Sequence, residues 1–425
     1  MSRQWTSVSV IGLGYIGLPT SVLLAAHGLR VTGVDVKPDV LETLRRGRAH
    51  IIEPGLNEAL EKVVASGALT FSATPVPADA FIVAVPTPFA EGHTPDVSFV
   101  EAAARSLAPV LKRGDLVILE STSPVGTTEF LSSLLAECRP DLRMPHEHIG
   151  SADVNIAYCP ERVLPGKILG ELIENDRVVG GVSESCATLS KSLYGIFVEG
   201  KIFMTDSRTA EMCKLTENSF RDVNIAFANE LSVICDSMGI DVWRLIDLAN
   251  RHPRVNVLRP GAGVGGHCIA VDPWFIVSAR PELARLIRTA REVNDEKPEW
   301  VLHRVIDSIN AAVEAGVRNS AREVSVACLG LSFKPDIDDL RESPAVDIVR
   351  RLASAHAGPI RVLEPFIDAL PDSIPGRVEI NPEIDDFLTA DVVVILVAHT
   401  QFKALVSHFS RRRYVIDVCG LLAGA

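Results

Sequence analysis

The chain has 425 residues, of which 47% are hydrophobic, enough for several cores; a prior of about 150 residues per domain gives roughly three lobes. Its net charge of −12 leaves no bulk attraction for nucleic acid or an anionic membrane surface, so an anionic ligand must be met by locally placed cations. The eight cysteines, at 138, 159, 186, 213, 235, 268, 328 and 419, lie at least 21 residues apart, a spacing that excludes CxxC metal or redox pairs and fits reduced intracellular thiols.

The opening stretch VSVIGLGYIGLPTSVLLAAHG has the outline of an export signal, but its glycines fall at a fixed spacing beside a proline, and a strand ending in an acid follows. No apolar run approaches the roughly 18 residues of a membrane helix, so a soluble, cytoplasmic protein with neither a membrane nor a nucleic-acid partner is expected. Short β-branched runs then alternate with longer mixed segments: SVSVIGLG, LRVTGVDV, DAFIVAVPTP, GDLVILESTSP and DVNIAYCPE. Near-continuous apolar runs mark parallel strands buried on both faces, and the helical patterns between them complete βαβ units. From Ser207 to Gly239 a 3.6-residue pattern without internal proline or glycine predicts a helix of many turns, and a further helical stretch covers about 283–317. EVSVACLGLSF, IRVLEP, DVVVILVAHT and YVIDVCG return to the buried-strand pattern. The expected class is α/β: two doubly wound Rossmann-like domains joined by a central helical domain with a long helix, divided at 1–205, 206–312 and 313–425.

In GLGYIG, Gly12 and Gly14 permit a tight turn and close backbone approach to a pyrophosphate, Gly17 lets helix and strand pack, and the helix N-terminus favours negative charge. Asp35 lies 18 residues beyond Gly17, where a carboxylate accepts ribose hydroxyls and repels a 2′-phosphate; NAD is favoured over NADP. ESTSPVGTTE follows the strand DLVILE, so Thr122 and Thr87 line the carboxyl edge where α/β sheets bind ligands, unless they only cap helices. Lys214, Asn218 and Arg221 share one helix face at i, i+4 and i+7. Such a face commonly meets solvent, yet NSFRDVNIAFANEL is apolar on its other sides, and a buried face would need anionic partners.

Cys268 stands in PGAGVGGHCIAVDPW, after four glycines and His267 and four residues before Asp272. A lone cysteine is ordinarily core filler, but a thiol near a cation or a helix N-terminus ionises more easily, and the thiolate is a nucleophile. A nicotinamide site together with a nucleophilic cysteine points to aldehyde oxidation through a thiohemiacetal and a thioester, whose hydrolysis needs a general base. Glu161 in YCPERVLPG is the candidate base, the alternative being an ordinary glutamate paired with Arg162. No metal is expected.

Together GLGYIGLP, VAVPTPF, ESTSPVGTTE, YCPERVLPG, EMCKLTENSFRDVNIAFANEL, GVGGHCIAVDPWF and FKPDIDDLRES resemble the UDP-glucose/GDP-mannose dehydrogenase family across nearly the whole chain. The resemblance implies a four-electron oxidation of a UDP-sugar at C6, from alcohol to carboxylate, with two NAD reduced per sugar. It gives Cys268 the role of nucleophile and Lys214 that of proton carrier and oxyanion stabiliser. Glu161 and Thr122 handle the hydrolytic water, and Asn218 and Asp272 position Lys214 and Cys268. For NAD it implies Tyr15, Ile16, Asp35, Thr87 and Thr128, with Arg341 linking the third domain to the cofactor side. For the UDP-sugar it implies Arg162, Val163, Lys214, Asn218, Arg221, His252, Arg254, Gly265, Phe333 and Lys334. An N-terminal NAD-binding domain, a C-terminal UDP-sugar-binding domain and a homodimer formed through the long helix follow from the same resemblance. Other readings stand beside it: the same chemistry with UDP-glucose or UDP-N-acetylglucosamine as the sugar, a two-electron dehydrogenase with Cys268 as core filler, and a non-catalytic NAD-binding redox sensor.

Overall fold

The apolar runs of the first half all become strands. A computed structural model describes residues 5–164, 166–266, 268–410 and 412–423, apart from the side chain of Glu91. The chain divides into two compact units, Met1–Glu217 and Asn218–Ala425.

In the first unit, β1 (Ser7–Ile11), β2 (Arg30–Val34), β3 (Leu69–Ser72), β4 (Ala80–Val83), β5 (Leu116–Leu119), β6 (Asn155–Tyr158), β7 (Arg177–Gly181) and β8 (Ile202–Asp206) form one sheet in the order β3-β2-β1-β4-β5-β6-β7-β8. Every neighbouring pair is parallel except β6 and β7. Alternate residues of one strand enter opposite cores: Ile82 packs on one face, Phe81 and Val83 on the other. Burial on both faces is why these strands read as unbroken apolar runs. Three strands lack that signal. β3 and β8 are edges with half-exposed or exposed residues, and β7 ends in Gly180 and Gly181, where an added Cβ would meet backbone at 2.5 Å and 2.1 Å. Helix α1 (Gly17–Ala26) is buried over nearly its whole length, so the apolar stretch that mimics an export signal is the filling between turn and sheet. Helices α2 (Thr127–Cys138) and α3 (Ser207–Ser237) follow, the second running across the division between the units.

In the second unit, α4 (Asp272–Ala279), α5 (Arg285–Glu314) and α6 (Pro344–Ala355) accompany a parallel sheet. Its strands, β9 (Val326–Leu329), β10 (Ile360–Leu363), β11 (Glu379–Ile380), β12 (Val392–Ile395) and β13 (Val415–Asp417), take the order β11-β10-β9-β12-β13. Val326 and Cys328 face one core, Ala327 and Leu329 the other. Pro298 lies inside α5. Proline has no N–H, so the Asn294 carbonyl loses its helical donor; a Cβ built on Gly263 would come within 3.3 Å of that oxygen. Among the described residues, no helix is long and apolar enough to cross a membrane.

A cavity of about 250 Å³ in this unit is lined by Ser232, Asp236, Trp243, Lys297, Trp300 and Arg304, among others. Lys297 is buried, donates to Ser232 Oγ at 2.5 Å and lies 3.7 Å from the Trp300 ring centre, while Asp236 pairs with Arg304 at 3.2 Å. Burial pushes the Lys297 pKa down to about 7 from 10.5. Between those values the unfolded chain holds a proton that the folded one has released, so the lysine's penalty is full below pH 7 and fades as pH rises. Lys297→Met is therefore expected to raise the melting temperature most at pH 6 and less at pH 9. A thermal-unfolding series showing equal shifts at both would reject this account.

Candidate active site

In the first unit the glycine turn is built as the fingerprint requires. Gly12 has φ +92°, and a Cβ there would sit 2.4 Å from the Ala84 carbonyl oxygen; one on Gly17 would meet the Gly12 oxygen at 1.9 Å. Gly14 has no atom within 4 Å of where its Cβ would be, leaving the space over the turn that a pyrophosphate needs. Ile16 is the N-cap of α1 and provides no side-chain cap, and Leu18 N donates to the Gly14 carbonyl at 3.2 Å, so the positive end of the helix follows the glycine turn directly. Tyr15 is half-buried against the core. Asp35, at the end of β2, accepts from Leu13 N at 3.1 Å and from Lys37 N at 3.0 Å, which aims the carboxylate across the turn. The turn lies where the strand order reverses between β1 and β4. These residues fit a bound NAD.

The neighbouring strand ends carry the threonines. Thr87 donates to the Thr122 carbonyl at 2.5 Å, fastening the loops after β4 and β5 together. Thr128 is fully buried, and its hydroxyl donates to Glu211 Oε1 at 2.6 Å. Glu211 also accepts from Gly126 N and Thr128 N, so this carboxylate from α3 caps α2. Sequence reading missed it, because nothing local marks a glutamate 83 residues from the helix it caps.

Glu161 follows β6. Its Oε1 is buried without a hydrogen-bond partner among the described residues, and its carboxylate accepts from Val163 N–H. Burial pushes its pKa up to about 7, against the opposing charges of Lys214 and then Arg177, while Glu120 adds to the rise. Glu161 is thus a carboxylate that gains and loses a proton near neutrality and has an oxygen bonded to no group among the described residues, properties that suit a general base for water. Next to it lies a buried cluster absent from the sequence reading. Arg177 approaches Glu120 at 3.6 Å and stacks 4.7 Å from the Tyr194 ring centre, and Tyr194 donates to Glu120 at 3.0 Å. Cys159, two residues before Glu161, also borders it; burial pushes this thiol up to about 11, which makes it inert.

Lys214 is buried on α3 and acts electrostatically on Glu161. Asn218 is half-buried and Arg221 exposed, so the face is buried at one end only and the arginine needs no buried partner. Arg162 pairs with Glu217 at 2.7 Å and donates to the Asp176 carbonyl, while Val163 packs on the core.

In the second unit Cys268 is exposed, whereas Cys235 and Cys328 are buried, the latter pushed up to about 12 by burial. The Cys268 carbonyl accepts from Asp272 N at 2.8 Å, so the thiol lies one turn before α4. Asp272, in the first turn of α4, is buried and accepts from Asn218 Nδ2. His267 is outside the described residues. The glycine loop is held in two ways. A Cβ on Gly265 would meet the Glu342 oxygen at 2.6 Å and Phe333 Cβ at 2.7 Å, and Gly266 N donates to the Arg341 carbonyl. Gly261 N donates to Asn229, which donates to Asn294, which donates to Asp222, itself paired with Arg291 at 2.6 Å. The sequence reading gave none of these four side chains a role: they come from turns of α3 and α5 that meet only in the fold.

Phe333 and Lys334 are half-buried in the loop after β9. Arg341 is exposed and paired with Asp339 at 2.6 Å. His252 and Arg254 are exposed on the turn after Ala249. Among the described residues no cluster of histidine, cysteine and carboxylate side chains could hold a metal.

Three family models match the chain: the NAD binding domain (6–198), the central domain (208–296) and the UDP binding domain (327–424) of the UDP-glucose/GDP-mannose dehydrogenase family. The chain is 57% identical over 418 residues to the UDP-N-acetyl-D-mannosamine dehydrogenase of Yersinia pestis, covering 98% of this chain and 99% of the relative. It is 55% identical to the NDP-N-acetyl-D-galactosaminuronic acid dehydrogenase of Ralstonia nicotianae, covering 98% and 96%. Its fold matches that of the UDP-D-ManNAc dehydrogenase of Pyrococcus horikoshii with a TM-score of 0.87 and 37% identity, over 99% of this chain and 97% of that one.

Proposed function

Because the chain belongs to the UDP-glucose/GDP-mannose dehydrogenase family, an oxidoreductase family that uses NAD, we propose that it oxidises UDP-N-acetyl-D-mannosamine at C6 to UDP-N-acetyl-D-mannosaminuronate. Near-full-length identity of 57% to a dehydrogenase of that sugar carries the reading, and NRHPRVN at 250–256 supports it. The product would serve as a donor for surface polysaccharide of the enterobacterial common antigen type, made in the cytoplasm.

NAD, when bound, supplies the hydride acceptor for each of two oxidations. The chain's own residues do the rest. Lys214 takes the proton of the C6 hydroxyl and, as an ammonium, stabilises the oxyanion. The Cys268 thiolate adds to the aldehyde carbon, giving a thiohemiacetal and, after the second oxidation, a thioester. Glu161, with Thr122, takes a proton from water, which attacks the thioester and releases the Cys268 thiol and the carboxylate product. Asn218 and Asp272, bonded to one another, orient Lys214 and Cys268. Gly12, Gly14, Tyr15, Ile16, Gly17, Asp35, Thr87, Thr128 and Arg341 serve NAD. Arg162, Val163, Lys214, Asn218, Arg221, His252, Arg254, Gly265, Phe333 and Lys334 serve the UDP-sugar, whose diphosphate suits guanidinium forks.

We also infer domains at 1–205, 206–312 and 313–425, and a homodimer through α3. The exposed Phe220, Phe227 and Ile234 at seven-residue steps support the dimer.

A second reading, a sugar of galacto configuration, is favoured by the relative from Ralstonia nicotianae. A panel of UDP-N-acetylmannosamine, UDP-N-acetylgalactosamine, UDP-N-acetylglucosamine and UDP-glucose with NAD tests both. Fastest turnover is expected for the first, with two NADH formed per sugar. Faster turnover of another sugar, or one NADH per sugar, would reject the proposal.

A further inference from the structure

The second unit repeats the construction of the nucleotide turn with one change. After β1 comes Gly12 (φ +92°), whose N donates to the Val34 carbonyl; after β9 comes Gly330 (φ +90°), whose N donates to the Leu363 carbonyl. Asp35 at the end of β2 takes Leu13 N–H, and Glu364 at the end of β10 takes Leu331 N–H at 2.6 Å. The downstream pieces then diverge. In the first unit α1 starts at Gly17, directly after the turn; in the second α6 starts only at Pro344, and the segment between carries Phe333 and Lys334. The acids differ as well: Asp35 is half-buried, whereas Glu364 is fully buried.

Glu364 faces inward. Its Oε2 accepts from Leu331 N, from Ser332 N at 3.1 Å and from His399 Nε2 at 3.1 Å, and its Oε1 accepts from Phe366 N. Burial alone would raise its pKa, but His399 and the N–H groups of Leu331 and Phe366 outweigh that and hold it below the usual glutamate value. No oxygen of this carboxylate is placed to meet a ribose as Asp35 is. His399, also fully buried, reaches the other end of the segment: Asp336 N donates to its Nδ1 at 2.9 Å. That bond makes Nδ1 the acceptor and leaves the proton on Nε2, where it is donated to Glu364. Asp336 has φ +64°, a left-handed conformation costly for a non-glycine residue. Thr400 N and Oγ1 hold its carboxylate at 2.8 Å and 2.7 Å, and Ser332 Oγ donates to the Lys334 carbonyl at 2.8 Å. The segment is therefore fastened at Leu331–Ser332 by Glu364 and at Asp336 by His399, with Phe333 and Lys334 between the two anchors.

We propose that the buried His399–Glu364 pair is a positioning device for UDP-sugar binding, converting a second nucleotide-type turn into a rigid mount that presents Phe333 and Lys334 to the substrate. The proposal rests on the assignment of those two residues to the UDP-sugar. Neither member of the pair touches substrate. Their effect is preorganisation, which appears as affinity for one ligand and not for the other.

The test measures dissociation constants of UDP and of NADH on the full chain for His399→Leu, His399→Gln and Lys334→Ala. Leucine removes both bonds; glutamine keeps an acceptor for Asp336 N–H and a donor for Glu364. His399→Leu is expected to weaken UDP about tenfold or more while NADH stays within about twofold, and His399→Gln to recover most of the loss. Lys334→Ala is expected to weaken UDP alone. If His399→Leu binds UDP normally while Lys334→Ala does not, the positioning role is wrong and the substrate assignment stands. Normal UDP binding by Lys334→Ala removes the assignment and the proposal with it. Parallel loss of UDP and NADH in His399→Leu, or no recovery with glutamine, marks a general folding role and overturns the proposal.

Discussion

Cys268→Ala is expected to stop carboxylate formation, lowering its rate by about 10⁴-fold or more, the scale on which loss of a covalent nucleophile is felt. In the proposed function this cysteine has the role of nucleophile. It is exposed one turn before α4, while Cys159 and Cys328 are buried with thiols pushed up to about 11 and about 12. Without a sulfur at 268 the aldehyde has no protein nucleophile, so the second oxidation has no thiohemiacetal to start from. Cys268→Ser is expected to retain the first oxidation, because it keeps the shape of the loop, and to stall at the second, because a hydroxyl without a base is a poor nucleophile. NADH counted per sugar consumed separates these cases: two for the unaltered protein, about one for the serine variant in a single turnover. Two NADH per sugar from Cys268→Ala would end the thioester route.

Glu161→Gln is expected to accumulate sugar joined to Cys268, visible as an added mass on the intact chain, with steady-state turnover falling by about 10²- to 10⁴-fold. The pH profile follows from the environment of this carboxylate. Burial raises its pKa to about 7, so below that value the protonated form dominates and cannot take a proton from water. Thioester hydrolysis should climb about tenfold per pH unit below 7 and level off above it, and the climb should vanish in Glu161→Gln. Arg177 and Lys214 oppose the rise, so removing either charge moves the inflection upward. Wild-type turnover by Glu161→Gln would remove this residue from the mechanism.

Much of the backbone geometry at the candidate site was legible because it is set by neighbours in the chain. Gly12, Gly14, Gly17 and Asp35 form one strand–turn–helix–strand passage, and the backbone geometry that demands glycine at 12 and 17 leaves its mark within a few residues. The same holds for Gly265 before Cys268, where the backbone of Glu342 and the side chain of Phe333 leave no room for a Cβ. Strands buried on both faces were equally readable. The edge strands β3 and β8 were not, since exposure on one side dilutes the apolar pattern, and the antiparallel pairing of β6 with β7 leaves no periodic trace.

What the sequence by itself determined is the α/β scaffold, the NAD-using dehydrogenase family and where the candidate groups stand in the chain: an acid after the second strand, a thiol after a glycine loop, and a carboxylate and a lysine at strand end and helix. The tertiary structure decided the state and support of those groups. The Glu161 carboxyl is raised to about 7 by what surrounds it: burial lifts its pKa, Lys214 and Arg177 oppose the lift, and Glu120 adds to it. Glu211 caps a helix 83 residues away, Asn229, Asn294 and Asp222 tether the glycine loop, and His399 meets Asp336 across 63 residues. Hydrogen bonding and desolvation depend on distance in space, so residues that act through them carry no mark in the chain until folding brings their partners together.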